Sequence, residues 1–80
     1  MSISRFYHHF KNELGITPIE YKNNIAIKNA ALLLINKKQL SIEEISSQCG
    51  FESSSYFRRV FRAATGKSPR EYRKTMSDIF

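Results

Sequence analysis

Eighty residues with 41% hydrophobic and 25% charged side chains make one small folded domain, not a disordered tail or a collagen-like repeat. The longest apolar run, from Ala30 to Ile35, is far too short to cross a bilayer, and the single cysteine excludes an intrachain disulfide or a cysteine-based zinc site. Thirteen Lys and Arg against seven Asp and Glu give +6, which calls for nucleic acid, an anionic membrane surface or an acidic protein as partner.

Met1 to Arg5 lead into a polar helical pattern with no apolar signal core, and one free thiol suits a reducing compartment, so a cytoplasmic protein is expected. Five helices are predicted, at roughly 2–14, 18–36, 41–48, 53–64 and 69–77. Ser2 caps the first and Gly15 closes it, with Ile3, Phe6, Phe10 and Leu14 on one face. Thr17-Pro18-Ile19-Glu20 places a cap, a proline at the first helical position and Glu at the third, opening the long second helix. Ile19, Ile25, Ala26, Ala30, Leu33 and Leu34, with Ile27 and Leu32 on other sides, wrap much of its circumference. This pattern predicts a connector packed on both flanks. Ser41-Ile42-Glu43-Glu44 is a capping box for a short third helix ending near Cys49-Gly50. Ser53 caps the fourth helix and Gly66 closes it, and Ser68-Pro69-Arg70-Glu71 opens the fifth. No stretch alternates with period two, so an all-α fold is expected.

The chain also repeats itself. At an offset of 51 residues, 8 of the 21 positions in 2–22 match those in 53–73: two serines, Phe6/Phe57, Phe10/Phe61, Gly15/Gly66, Pro18/Pro69, Glu20/Glu71 and Tyr21/Tyr72. One structural unit therefore occurs twice. Tyr21 and Tyr72 are expected to anchor the helix after each proline.

Residues 41–64 read as a helix, a turn at Gly50-Phe51-Glu52 and a second helix, the plan of a helix-turn-helix. Ile42, Ile45 and Phe51 are expected to pack on Phe57 and Phe61. The opposite face of the fourth helix then carries Ser55, Tyr56, Arg59, Arg62 and Ala63, flanked by Ser54 and Arg58. A charged helix face is most often merely solvated, but at the second helix of this plan Arg can grip guanine and Ser can contact several bases. Base contacts are expected from Ser54, Ser55, Arg58 and Arg59. By the repeat, Ser4, Tyr7 and His8 are expected to do the same on the first helix, with Arg5 also on its outer face. Phosphate contacts are expected from Lys11, Thr17, Arg62, Lys67, Ser68, Arg70 and Arg73, two of these being caps whose helix N-termini favour anions. The connector of 19 residues spans about 28 Å. Successive major grooves lie about 34 Å apart, so it is about long enough to act as their spacer.

The pattern Ser41-Ile42, Glu44-Ile45, Gly50-Phe51, Ser55-Tyr56-Phe57, Phe61-Arg62, Gly66-Lys67-Ser68-Pro69 and Tyr72-Arg73 resembles the signature of AraC/XylS-type bacterial transcription regulators. Phe10-Lys11, Gly15-Ile16-Thr17-Pro18, Tyr21, Ala30 and Leu33-Leu34 resemble that family's first recognition helix and linker helix. The resemblance implies two homeodomain-like helix-turn-helix subdomains joined by a long linker and reading promoter DNA. Residues 1–17 would be the recognition helix of a first unit incomplete at its N-terminus, 18–36 the linker, and 37–80 a complete second unit. Apolar faces left uncovered by that start would favour self-association, domain swapping or a disordered N-terminus.

The rival reading is a helical module docking on an acidic protein such as RNA polymerase. An enzyme is not expected, because no phosphate loop, carboxylate pair or metal signature appears. His8 and His9 are helical neighbours about 100° apart, a poor pair for one metal. Cys49 is expected to be a small buried filler. No cofactor is expected.

Overall fold

The computed structural model describes the backbone of residues 3–79 and the side chains of 7–9 and 11–77. Five helices follow in chain order: α1 (Ile3–Leu14), α2 (Pro18–Asn36), α3 (Ile42–Gln48), α4 (Ser54–Thr65) and α5 (Pro69–Ile79). The expected ranges agree with these to within a residue or two, because each end carries a local signal. Thr17 accepts from the Glu20 amide while Glu20 returns to the Thr17 amide, and Ser41 and Glu44 form the same reciprocal box on α3. Ser53 caps α4 by accepting from the Tyr56 amide at 3.0 Å. The expected cap of α1, Ser2, lies outside the described residues.

The internal repeat is structural as well as sequential. Gly15 and Gly66 both close their helices by donating four residues back, to Lys11 and Arg62, at 2.7 and 2.8 Å. The Glu20 and Glu71 amides both reach their capping hydroxyls at 3.1 Å. Gly66 turns the chain at φ +82° and Gly50 breaks α3 from α4 at φ +89°, a conformation that strains any residue with a Cβ.

The core lies at the junction of α2, α3 and α4. Ile27, Ala30 and Leu34 of α2 meet Ile45 of α3 and Phe57 and Phe61 of α4, with Ile42, Phe51 and Tyr72 packed around them. Four aromatic rings form a chain through it. Phe51 lies 5.1 Å from Phe57, Phe57 5.7 Å from Phe61, and Phe61 5.2 Å from Tyr72 in an edge-on contact. The expected packing of Ile42, Ile45 and Phe51 on the two phenylalanines is what the structure has.

The connector departs from expectation. Its buried residues, at 27, 30 and 34, form one stripe at helical spacing that faces α3, α4 and α5. The other flank is not covered: Ile19, Ile25 and Leu32 are 65%, 47% and 58% exposed, and Leu14 at the end of α1 is 54% exposed. An apolar circumference therefore does not by itself put a neighbour on each side. Phe6 and Phe10, expected on the inner face of α1, lie outside the side chains described.

Phe61 is completely buried and touches rings on two sides. Phe61→Ala should lower stability by about 3–5 kcal/mol in urea unfolding. A loss under about 1 kcal/mol would show that the junction does not depend on this ring.

Candidate nucleic-acid interface

Burying Phe57 and Phe61 fixes the rotation of α4, and with it what the helix shows to solvent. Ser55, Tyr56, Arg58, Arg59, Arg62 and Ala63 are all exposed, with Ser54 half-buried at the first turn. Residues 56–74 hold seven Lys or Arg and a single acid, Glu71, so this segment carries the whole net charge of the chain. Six of those seven cations are exposed.

Neighbouring groups hold the arginines at the start of α4. Arg58 Nη2 donates to Glu43 Oε1 of α3 at 2.5 Å, across the turn. The Arg59 guanidinium sits over the Tyr56 ring, 5.8 Å from its centre. The Tyr56 hydroxyl in turn accepts from Asn23 Nδ2 of α2 at 3.1 Å. The residue expected to belong simply to the outer face of α4 is therefore also the link to the connector. Beside it, a cavity of about 370 Å³ opens between α2 and the helix-turn-helix turn, lined by Ile19, Lys22, Asn23, Cys49, Phe51 and Tyr56 among others.

The start of α5 adds a second cationic edge. Ser68 caps the helix, Pro69 is fully buried behind it, and Lys67 and Arg70 are exposed on either side. Thr65 closes α4, donating to the Phe61 carbonyl at 2.8 Å and accepting from the Lys67 amide at 3.2 Å. Arg73, expected at a phosphate, is turned inward instead. Its Nε donates to the Leu34 carbonyl at 3.1 Å and its Nη2 to the Lys37 carbonyl at 3.3 Å. The last carbonyls of any helix lack intrahelical partners, and a cation there is favourable twice over, by hydrogen bonding and by the helix dipole. Arg73 thus fastens α5 to the end of α2.

On α1, Tyr7, His8 and Lys11 are exposed, and the Tyr7 and His8 rings meet edge-on at 5.8 Å. Ser4 and Arg5, expected beside them, lie outside the side chains described. Thr17 is occupied as the cap of α2. Tyr72 and Tyr21 are the residues expected to anchor the helix after each proline. Tyr72 packs on Phe61, whereas the side of Tyr21 is 45% exposed. Three contacts around this surface are not among the sequence expectations: Glu43 with Arg58, Asn23 with Tyr56, and Arg73 with the end of α2. Only the first had an available signal, an acid in the first turn of one helix facing a base near the start of the next.

This arrangement defines a class: a short helix braced against a second whose inner face is aromatic and whose outer face is cationic, with a glycine turn between them, is a helix-turn-helix. The chain belongs to the helix-turn-helix domain family of the AraC/XylS type, which matches residues 1–75. It is 37% identical over 73 residues to the arabinose operon regulatory protein of Escherichia coli K12, a match covering 91% of this chain and 25% of that protein. The chain spans about a quarter of the length of the curated relatives it matches first. Among solved structures it resembles the C-terminal domain of AraT, a response regulator from Geobacillus stearothermophilus. There the TM-score is 0.85 and the identity 36%, over 94% of this chain and 61% of that one. It also resembles the DNA-binding domain of the global transcriptional factor AdpA in complex with a target DNA. That match has a TM-score of 0.84 and 31% identity, over 94% of this chain and 67% of the other.

Cys49 ends α3 beside this interface, half-buried against the core. Burial pushes its thiol above the ordinary value, because the thiolate is poorly solvated there. The raised value works against the fold only at high pH: stability is intact below the unfolded thiol's pKa and falls as pH rises through the folded one. Near pH 8 Cys49 should react with a disulfide reagent more slowly than a free thiol, and at the free-thiol rate in denaturant. Equal rates in both conditions would contradict the burial.

Proposed function

We propose that this chain is a sequence-specific DNA-binding unit of an AraC-type transcription regulator, with α4 entering a major groove and α1 the successive one. The observation that carries the reading is the two-sidedness of α4, buried phenylalanines inside and exposed arginines and serines outside. The complex of the AdpA domain with its target DNA supports it. Arg58, Arg59, Ser54 and Ser55 read bases in the second half, with Ser4, Arg5, Tyr7 and His8 in the first. Lys11, Arg62, Lys67 and Arg70 meet phosphates by charge, and the capped N-termini at Thr17 and Ser68 offer backbone amides to phosphates. Arg73 is left to brace the linker.

No helix among the described residues is long and apolar enough to cross a membrane. Docking on RNA polymerase and self-association are the further partners this reading admits. The exposed Leu14, Ile19, Ile25 and Leu32 support the second.

Four phosphate-bound cations predict that log K falls against log salt with a slope of about −3 to −4. A flat response in a titration on duplex DNA would remove phosphate contact from the account. Arg59→Ala should cost about 1–3 kcal/mol of discrimination between a preferred and a random duplex, if it grips a guanine with two bonds. Equal losses on both duplexes would make Arg59 a phosphate contact instead.

A further inference from the structure

Glu43 is out of place on a surface meant for a polyanion. It stands in the first turn of α3, 61% exposed, next to the cationic face of α4. Its neighbour Glu44 is occupied by the capping box, whereas Glu43 has no part in that cap. Its carboxylate instead meets Arg58, itself 48% exposed. An exposed pair of this kind adds little to stability, and the helix dipole favours an acid in the first turn only modestly, so the fold alone gives Glu43 a weak reason to be acidic.

Resting on the reading that α4 enters the groove, we propose that Glu43 is a specificity-determining residue that restrains Arg58 against indiscriminate use. The contact is made through one nitrogen of a guanidinium that has five donors. Arg58 can therefore keep Glu43 and still present donors to a guanine edge. Swinging to a phosphate breaks the pair and leaves a bare carboxylate close to the DNA backbone, where like charges repel. Non-specific binding is penalised and base reading is not. Glu43 acts through Arg58, and is a positioning residue.

The test uses the full chain and two duplexes of equal length, one enriched from a random pool by the chain itself and one of random sequence. Glu43→Gln should tighten binding to the random duplex by about fivefold, the scale of one exposed ion pair exchanged for another contact. It should also steepen the salt slope on that duplex by about 0.9, for one added phosphate contact. Affinity for the enriched duplex should barely change, so the ratio between the two falls. In an Arg58→Ala background the same substitution should leave that ratio unchanged. Circular dichroism of each variant confirms that the helices are intact. An unchanged ratio with Arg58 present, or an equal fall in the Arg58→Ala background, would overturn the role of Glu43. A pool that enriches no sequence would overturn the DNA reading itself.

Discussion

The burial of Phe57 and Phe61 is the constraint on which the rest depends. Both rings are removed from solvent completely, and they sit where α2, α3 and α4 converge. A helix pinned by two residues four apart has no rotational freedom left, because turning it would expose one ring or both. The outer face follows from the inner one. Arg59 and Arg62 project to solvent since Phe57 and Phe61 do not, and Ser53 sets where the helix begins.

The same junction makes α2 part of the second half of the molecule. Its inner stripe is buried against α3, α4 and α5, Asn23 reaches Tyr56 near one end, and Arg73 takes its terminal carbonyls at the other. A rod held by packing and by polar contacts at two places along its length resists tilting. What it carries at its N-terminal end, α1, is joined through Gly15 and the Thr17 cap. The geometry between the two halves is therefore set by the α1–α2 corner, and α4 is set by the core.

Much of this was legible in the sequence because it is encoded locally. The two capping boxes, the glycines at Gly50 and Gly66 and the prolines at the first helical position each act within a few residues, and the helix bounds follow. The aromatic face of α4 was legible for the same reason, since its spacing is that of one helix. What was not legible joins residues far apart in the chain: Asn23 and Tyr56 are 33 positions apart, and Arg73 lies 39 from Leu34. Arg73 looked like one more cation beside a helix start. Only folding brings it to the carbonyls at the end of α2, where the Lys37 carbonyl also accepts from the Leu40 amide. The connector misled in the opposite sense: its apolar residues point to several sides, yet only the stripe of Ile27, Ala30 and Leu34 is buried. Composition counts apolar residues, whereas burial depends on what lies opposite them.

On the proposed reading, the core turns α4 outward as the gripping surface and α5 begins beside it. Amide hydrogen exchange, followed with and without the enriched duplex, tests that most directly. Added protection should appear on the amides of Ser54 to Ala63, on the first turn of α5 and on α1, the second helix proposed to enter a groove. Protection confined to the exposed flank of α1 and α2, with α4 exchanging as before, would contradict it.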